Sequence, residues 1–461
     1  QDAAYARFTS GSTGVPKLVA VPHGALARRF AWLARVWDLG PADRSLQSTQ
    51  ASFDPALIEL LLPLTLGASV ALPAPGRVAP QQFAAFAARH GCSFAALVPT
   101  TLARLLDGIE ALGETERGRL RLRVACCGGE VLTPALAQRW IDLTRAQLWN
   151  VYGPTEACIF ASAWLCRDGE TAAQLPVGSP VDGSRVYVLD AQLQPLPFGT
   201  PGEIWLGGPT LALGYLNDAA ASSARFVADP FVPGARMYRS GDRGLLDGDG
   251  RLQFLGRADR QLKIRGQRVE PGEVEARLLE LPGVQEVHVA AVDEPARLHA
   301  WLAPAHLSLA ELQAAARRRL PEALLPSGWT LLAALPRHAS GKLDTQALPR
   351  PERGAEGARR EPANALEREL LTQLRAVLQQ PQLGVDDDFF ASGGDSLAAL
   401  DWLTAIEQRT GLHADLGLLA QAPSVALLAR RLSAPAESGP ALALALGPAP
   451  AEAPTLYIAA S

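Results

Sequence analysis

Lysine is the residue that this sequence most clearly lacks. Only three of its 43 basic residues are lysines, namely Lys17, Lys263 and Lys342, and each lies in a glycine-containing segment. An ammonium is a compact point charge on a flexible stem, whereas a guanidinium is a planar fork, so arginine does not replace lysine where one ammonium must reach a carboxylate or a phosphate. The three lysines are therefore candidate functional cations, and the alternative is that they are ordinary solvated charges.

The sequence also has few cysteines and a small net charge, and each feature argues against a class of protein. The five cysteines, at positions 92, 126, 127, 158 and 166, have neither metal-ligand spacing nor the density of a disulfide scaffold. We therefore expect Cys126 and Cys127 in buried packing and the protein in a reducing cytoplasm. The formal net charge of −4 gives no reason to expect nucleic acid or a membrane as a partner.

Long uninterrupted apolar runs are missing as well. The run from Leu57 to Leu72 is broken by Glu59, Pro63 and Gly67, which predicts a buried helix followed by a strand and no membrane span. The chain begins Gln-Asp-Ala-Ala-Tyr, without Met or a signal peptide, so we expect it to be a fragment of something longer. Its 461 residues suffice for about three domains.

A cluster of small donors, FTSGSTGVPK, occupies residues 8–17. Glycine lets backbone N–H groups converge, and Ser, Thr and Lys side chains add donors, which is what an anion such as a phosphate requires. A Walker-type loop is excluded, because Pro16 precedes the lysine and Leu18 follows it, where that motif needs Gly and then Ser or Thr. The segment is another kind of phosphate loop or an ordinary Ser/Gly loop.

Composition and periodicity change along the chain and predict its organisation. Short apolar strands such as 94–98 first alternate with helical stretches, which is typical of an α/β domain, and leucines later recur at helical spacing. The predicted segments are an α/β domain (1–257), a smaller α+β unit (258–347), a Pro/Gly/charge-rich linker (348–362), a helical bundle (363–434), an Ala/Pro-rich linker (435–453) and the start of a further domain (454–461).

Three further motifs contain groups suited to binding a nucleotide. NVYGPTEA offers Tyr152 as a stacking face, Thr155 as a phosphate donor and Glu156 as an oxygen ligand for Mg²⁺, although alone it is only a turn. In YRSGDRG, Asp242 could accept both hydroxyls of a ribose or could simply be a turn residue. GRADRQLKIRGQRVEPGEVE, at 256–275, is either a mobile hinge between two units or a basic hairpin.

These motifs together resemble the amino-acid adenylation domains of nonribosomal peptide synthetases. FTSGSTGVPK, NVYGPTE, PGEIWLGGPTLALGY, YRSGD, GRADRQLKIRGQRVEPGEVE and SGKLD occur in the order, and at about the spacing, of that family. LPRP at 348–351 resembles the family's linker, and DDFFASGGDSL at 387–397 resembles the attachment site of a peptidyl carrier protein. The resemblance implies a multidomain fold, with an ANL-type α/β large subdomain, a small α+β C-terminal subdomain and an all-α four-helix carrier bundle.

The resemblance also implies an ATP site. Its residues would be Thr9, Ser10, Gly11, Ser12, Thr13, Gly14, Lys17, Gly128, Gly129, Glu130, Tyr152, Asp242 and Arg257. The loop before Lys17 would hold the β- and γ-phosphates, the GGE segment with Tyr152 would border the adenine, and Asp242 with Arg257 would hold the ribose.

Catalytic roles follow from the same resemblance. Thr155 would contact the α-phosphate, Glu156 would ligate Mg²⁺, and Lys342 would bridge the substrate carboxylate and the α-phosphate as they react. Asp259 would be the hinge about which the small subdomain turns between adenylation and thioester formation.

An amino-acid pocket is implied as well. Asp54 would pair with the α-ammonium of the substrate, since a partly buried carboxylate without a cation is costly. The other positions that align with the family's pocket lining are uncharged and mostly apolar, namely Pro55, Ile58, Ala96, Ala125, Cys127, Val151, Ile159 and Phe160. This set predicts a neutral α-amino acid.

Ser396 lies at the start of a predicted helix, where the dipole and the free N–H groups favour a phosphodiester. Alone, a serine in this position is more often a helix cap. The resemblance makes it the 4'-phosphopantetheine attachment site, whose thiolate would attack the aminoacyl adenylate and release AMP. The implied partners are a phosphopantetheinyl transferase, an upstream condensation domain and a downstream domain, which by analogy would be a thioesterase.

The sequence departs from the family pattern at Leu18, Ala56 and Ser340, which are peripheral. It also lacks the region that the family has upstream of the phosphate loop, so we expect the chain alone to adenylate weakly or not at all, with apolar surface exposed. Two alternatives stay open. One is a free-standing acyl- or aryl-CoA ligase, and the other is a dead adenylation scaffold with a working carrier.

Overall fold

The chain forms two compact units, Gln1–Arg353 and Gly354–Ser461. The computed structural model describes residues 2–9, 16–73, 82–170, 174–257, 261–264, 267–292, 297–321, 324–338, 343–349, 360–378, 380–387, 389–390, 392, 394, 396–412 and 414–433. Some predicted site residues lie outside this range: Ser10, Gly11, Ser12, Thr13, Gly14, Asp259, Lys342, and the side chains of Lys263 and Ser396.

Strands and helices are numbered along the chain. The described strands are β1 (Ala3–Thr9), β2 (Lys17–Pro22), β3 (Arg44–Leu46), β4 (Ser69–Ala71), β5 (Phe94–Leu97), β6 (Val124–Gly128), β7 (Gln147–Tyr152), β8 (Ser162–Leu165), β9 (Ser179–Pro180), β10 (Arg185–Leu189), β11 (Gly202–Gly207), β12 (Gly214–Tyr215), β13 (Phe226–Ala228), β14 (Arg236–Leu246), β15 (Leu252–Arg257), β16 (Leu262–Ile264), β17 (Gln267–Val269), β18 (Glu286–Val292), β19 (Arg297–Ala303) and β20 (Gly328–Leu331). The described helices are α1 (His23–Val36), α2 (Ala56–Leu60), α3 (Leu62–Thr65), α4 (Gln82–His90), α5 (Pro99–Ala111), α6 (Glu114–Arg117), α7 (Pro134–Thr144), α8 (Ala219–Arg225), α9 (Pro271–Leu279), α10 (Leu309–Arg317), α11 (Ala365–Leu378), α12 (Ser396–Thr410), α13 (Leu416–Gln421) and α14 (Val425–Ser433), with a 3₁₀ turn at Thr155–Ala157.

The main sheet of the first unit has the strand order β4-β3-β5-β6-β7-β8-β9 within the described residues. The strands from β4 to β7 are parallel, and β8 and β9 are antiparallel to their neighbours. Every residue of β5 is buried, as expected for a parallel strand covered on both faces. Helices α1 and α2 pack on one face, and α4, α5 and α7 pack on the other.

Two further sheets flank the main one. β1, β2 and β12 form an antiparallel sheet, and β10, β11, β14 and β13 form another, in which β15 also pairs with β14. Val19 and Val21 of β2, together with Ile204 and Leu206 of β11, lie in the same hydrophobic cluster as α1. The strands β2 and β11 are therefore anchored in the same buried core.

The last part of the first unit is a small α+β arrangement with its own core. β18 pairs antiparallel with β19, which pairs parallel with β20, and β16 and β17 form a short hairpin. Val274 and Leu278 of α9 pack against Val289 and Ala300 of this sheet. This arrangement agrees with the α+β unit predicted for this segment.

The second unit is helical throughout its described secondary structure. Leu370, Leu374, Phe389, Trp402 and Ile406 form the centre of its core. The rings of Phe389 and Trp402 are stacked, with centroids 5.4 Å apart and planes 10° apart. The predicted fold class, α/β followed by α+β and an all-α bundle, is confirmed.

Candidate active site

Lys17 begins β2, directly after the predicted phosphate loop, and pairs with Thr9 at the end of β1. Its ammonium lies 5.1 Å from the centre of the Tyr215 ring. Burial, together with the neighbouring Arg225 and Arg268 guanidinium groups, lowers the pKa of Lys17. The carboxylates of Asp218 and Glu156 oppose this shift, so Lys17 lies in a cluster of three cations and two anions.

Glu156 is fully buried in the 3₁₀ turn that follows β7. Its Oε1 accepts hydrogen bonds from the Tyr215 hydroxyl at 2.8 Å and from Arg268 at 2.9 Å. Burial opposes ionisation, but Arg268 and the Tyr215 hydroxyl outweigh it and hold the pKa of Glu156 below its ordinary value. The predicted metal ligand is thus a carboxylate that is already neutralised by a cation from β17.

Asp242 lies opposite Arg257 across the β14–β15 pair. Its two oxygens accept hydrogen bonds from the Tyr152 hydroxyl and from Arg257, both at 2.5 Å. The Tyr152 ring also lies 5.7 Å from the Phe254 ring. The structure therefore brings together Tyr152, Asp242 and Arg257, which the sequence assigned to the adenine and the ribose.

The GGE segment after β6 is shaped by close packing. A Cβ atom on Gly128 would lie 2.6 Å from the carbonyl oxygen of Val151, and Gly129 has a φ of 85°, so both positions favour glycine. The Glu130 carboxylate accepts hydrogen bonds from the backbone N–H and the hydroxyl of Thr100, at 3.2 and 2.7 Å. Its carboxylate therefore holds the first turn of α5.

Asp54 is buried just before α2, and its Oδ2 has no hydrogen-bond donor among the described residues. Burial raises the pKa of Asp54 to about 6, although a hydrogen bond from Thr155 opposes the shift. A buried carboxylate oxygen that lacks a donor is costly, and a bound cation would remove that cost.

The predicted pocket lining divides between two sides of the main sheet. Ile58, Ala96, Ile159 and Phe160 lie in the α1–α2 cluster, and Val151 packs against it. Ala125 and Cys127 instead pack with α4, α5 and α7 on the opposite face. The residue between them, Cys126, pairs with Ala96 and lies in the α1–α2 cluster.

Ala125 and Cys127 thus lie on the other side of the main sheet from Ile58, Ala96 and Phe160, and their assignment to the pocket stays a prediction. Successive side chains of a strand point to opposite faces, so an alignment that is wrong by one residue exchanges the two faces. The local sequence ACCGG gives no alternation of polar and apolar residues from which the face could be assigned. Arg268 and Tyr215 were missed, since only the fold brings them to Glu156.

The predicted attachment site is at the first residue of α12, Ser396. Gly394 precedes it, and a Cβ atom there would lie 2.4 Å from the Phe389 ring. The Gly394 N–H donates to the carbonyl oxygen of Phe389 at 2.8 Å, and the Trp402 indole donates to that of Leu370 at 3.2 Å. The start of α12 is therefore fixed by the buried aromatic core.

Within the described ranges, no three His, Cys, Asp or Glu side chains are grouped closely enough to hold a metal ion by themselves. Among the same residues, no helix combines the length and apolar character that a bilayer crossing needs. The five cysteines are free and buried, and burial raises the pKa of Cys158 to about 11. Cys126 and Cys127 therefore pack as predicted.

Family comparisons agree with this geometry. The family models that match are AMP-binding enzyme at residues 1–216, AMP-binding enzyme C-terminal domain at 273–342, and phosphopantetheine attachment site at 368–432. Phosphinothricin tripeptide synthetase PhsB of Streptomyces viridochromogenes is 41% identical over 86% of this chain and 34% of its own length. Enterobactin synthase component F of Escherichia coli is 36% identical over 94% of this chain and 35% of its own. The chain spans about a third of the length of these two relatives.

Solved structures show the same arrangement of folds. Holo-PA1221, a nonribosomal peptide synthetase protein containing adenylation and carrier domains, superposes with a TM-score of 0.74 at 30% identity, covering 93% of this chain and 72% of that one. The adenylation domain AlmE of Vibrio cholerae, in complex with glycyl-adenosine-5'-phosphate, gives a TM-score of 0.66 at 27% identity, covering 75% and 65%. The family uses ATP and Mg²⁺ and carries 4'-phosphopantetheine. This chain belongs to the nonribosomal peptide synthetases, as an amino-acid adenylation domain followed by a carrier domain.

Proposed function

We propose that this protein activates a neutral, mostly apolar α-amino acid as its aminoacyl-AMP and transfers it to the phosphopantetheine arm on Ser396. The observation that carries the proposal is the buried Asp54 carboxylate, whose Oδ2 has no donor among the described residues. An ammonium can supply the missing donor and add its positive charge to that of the neighbouring Arg7. The uncharged residues Ile58, Ala96, Cys126 and Phe160 favour an apolar side chain beside it.

The nucleotide would bind along the loops that follow the β-strands. Asp242 would exchange the hydrogen bond from Tyr152 for one from a ribose hydroxyl, while Arg257 holds its other oxygen. Lys17 and the loop of Ser10, Gly11, Ser12, Thr13 and Gly14 would hold the β- and γ-phosphates. This assignment rests on the three neighbouring cations and on the family motif.

In the first step, a carboxylate oxygen of the amino acid attacks the α-phosphorus, and pyrophosphate leaves. The protein needs no covalent nucleophile, because alignment and charge stabilisation carry the step. We assign Thr155 to the α-phosphate and Lys342 to the attacking carboxylate, with Asp259 as the hinge that moves Lys342. Glu156 is suited to a hard cation, so Mg²⁺ bound there with phosphate oxygens would offset the developing charge. That ion would replace the guanidinium of Arg268, since both neutralise the same carboxylate.

In the second step, the arm on Ser396 supplies a thiol that accepts the aminoacyl group as AMP leaves. The fixed start of α12 supports this role, because a phosphodiester at Ser396 would meet the helix N-terminus. Arming Ser396 requires a phosphopantetheinyl transferase. We also propose an upstream condensation domain and a downstream domain, by analogy a thioesterase, as the neighbours that use the loaded carrier.

The test is ATP–pyrophosphate exchange by the protein at its natural length, with a panel of neutral amino acids and the matching des-amino and hydroxy acids. We expect exchange with an amino acid and none with its des-amino analogue, and we expect Asp54→Ala to abolish it. Equal exchange with the des-amino acid would favour an acyl-CoA ligase. If no acid supports pyrophosphate exchange, the result would favour the alternative in which the adenylation domain is an inactive scaffold.

A further inference from the structure

The loop that carries Ile159 and Phe160 contains a tight turn of unusual geometry. Cys158 and Ile159 have φ values of 60° and 74°, and the Phe160 N–H donates to the carbonyl oxygen of Cys158 at 2.9 Å. These features define a γ-turn centred on a β-branched residue with positive φ. Such a turn is strained and persists only where its surroundings hold it.

Arg29, on α1, contacts this turn from 129 residues away in the sequence. Its Nε donates to the carbonyl oxygen of Cys158 at 3.1 Å, the same oxygen that closes the γ-turn. Its Nη2 reaches the carbonyl oxygen of Ala157 at 3.4 Å and the hydroxyl of Ser184 at 3.1 Å. Its guanidinium also lies 4.6 Å from the centre of the Phe160 ring.

Burial of the Arg29 guanidinium costs free energy, because the charge loses its contact with water. The residue is fully buried, and its Nη1 has no hydrogen-bond acceptor in the described part of the chain. Leu26, Phe30 and Leu33, which share this side of α1, are apolar, and an apolar residue at position 29 would avoid the desolvation of a charge. The guanidinium supplies a planar set of donors to the turn, which an apolar side chain at this position could not do.

We propose that Arg29 is a positioning residue that locks the γ-turn at Ile159 and thereby sets the shape of the amino-acid pocket. This inference rests on the proposed function, because Ile159 and Phe160 matter for specificity only if the pocket takes an amino acid. Arg29 itself contacts no substrate in this account. It acts through two backbone carbonyl groups and one aromatic ring.

Removal of the guanidinium should loosen one wall of the pocket and leave the ATP site intact. In Arg29→Met we expect the amino-acid KM to rise about tenfold or more, because hydrogen bonds from a charged donor are among the stronger ones. We also expect the preference among neutral amino acids to flatten, while the KM for ATP and the discrimination against des-amino acids stay as in the wild type. Arg29→Lys should be intermediate, since one ammonium cannot reproduce the planar fork.

The experiment has two readouts on the natural-length protein. The first is hydrogen–deuterium exchange of the peptide that contains residues 157–161, and the second is pyrophosphate-exchange kinetics. Arg28→Met is the matched control, because Arg28 is the neighbouring residue of α1 and is exposed. We expect faster amide exchange in this peptide for Arg29→Met, a smaller change for Arg29→Lys, and wild-type behaviour for the control.

Wild-type amide exchange of this peptide in both Arg29 variants would overturn the proposal, as would equal increases in the KM for ATP and for the amino acid. If Arg29→Met does not fold, the same comparison between Arg29→Lys and the wild type decides the question. A wild-type protein that exchanges with no amino acid would refute the proposed function. The amide-exchange readout would still report whether Arg29 holds the turn.

Discussion

At the scale of a single residue, Asp54 combines a cost in stability with a gain in recognition. Its folded pKa of about 6 exceeds the ordinary value of 3.8, so the folded state binds more protons than the unfolded state between these values. The free energy of unfolding therefore falls as the pH rises from about 4 to about 6, and the loss persists above pH 6. A shift of two pKa units corresponds to about 3 kcal/mol.

Asp54→Asn should consequently stabilise the protein while it abolishes amino-acid recognition. We expect the free energy of unfolding to rise by up to about 3 kcal/mol at pH 8 and by less at pH 5, because the removed cost is that of a buried charge. Urea denaturation at the two pH values measures this. Asp182→Asn is the control, since Asp182 forms an exposed ion pair with Arg35 and should matter little. A variant that is less stable than the wild type at pH 8 would contradict the account.

Not every residue of the candidate site could be predicted from the sequence. Tyr152 and Asp242 were assigned because each lies in a short motif whose side chains have a defined chemistry, and Asp54 was assigned from the family resemblance. Arg29 was not, since α1 reads as an ordinary amphipathic helix and nothing local indicates that its guanidinium meets a strained turn. Contacts of this kind depend on the tertiary fold.

At the scale of elements, successive side chains of strand β6 point to opposite faces of the main sheet. Cys126 faces the α1–α2 cluster with Ala96 and Phe160, whereas Cys127 faces the opposite cluster. The family resemblance gave Ala125 and Cys127 as pocket lining, and this assignment stays a prediction, because a run of small apolar residues has no polar partner that marks the solvent side.

Cys126→Ala and Cys127→Ala form a matched pair that tests this assignment. Both remove a buried sulfur and should destabilise the protein by about 1–2 kcal/mol through a small cavity. Only Cys126→Ala should enlarge the pocket and shift pyrophosphate exchange towards larger amino acids. If Cys127→Ala alone shifted the preference among amino acids, the pocket lining predicted from the sequence would be supported instead.

The hairpin of β16 and β17 places Arg268 against the buried Glu156. Arg268→Met should leave that carboxylate without its cation, raise its pKa and destabilise the first unit by about 3 kcal/mol. Adding Glu156→Gln should recover much of the loss, because no buried charge is then left unpaired. Urea denaturation checks both variants, with Arg277→Met in an exposed pair with Glu280 as the control. If Arg268→Met lowered the free energy of unfolding equally with and without Glu156→Gln, the ion pair between these residues would not be stabilising.

At the scale of the whole molecule, each of the two units has its own hydrophobic core. The change from strand-and-helix alternation to helical leucine spacing predicted the change of fold class, because these periodicities depend only on local sequence. The register of the sheets and the approach of β17 to the 3₁₀ turn could not be predicted, since they depend on contacts between segments more than 100 residues apart.

Phe389→Ala should therefore impair the carrier without affecting adenylation. Phe389 is fully buried and stacks on Trp402, so its removal should cost about 3–5 kcal/mol and disturb the start of α12. We expect loss of phosphopantetheine attachment with normal pyrophosphate exchange. Leu427→Ala, at a half-exposed position of the same unit, is the control. A parallel loss of pyrophosphate exchange would contradict the independence of the two cores.

The most direct test of the account is peptide mass spectrometry of the segment that contains Ser396. The natural-length protein would first be treated with a phosphopantetheinyl transferase and CoA, and then with ATP, Mg²⁺ and the preferred amino acid. We predict that Ser396 of the wild type carries the arm with one amino acid attached, and that Ser396 of Asp54→Ala carries the arm alone. Equal loading of both proteins, or an arm attached at any residue other than Ser396, would contradict the central claim.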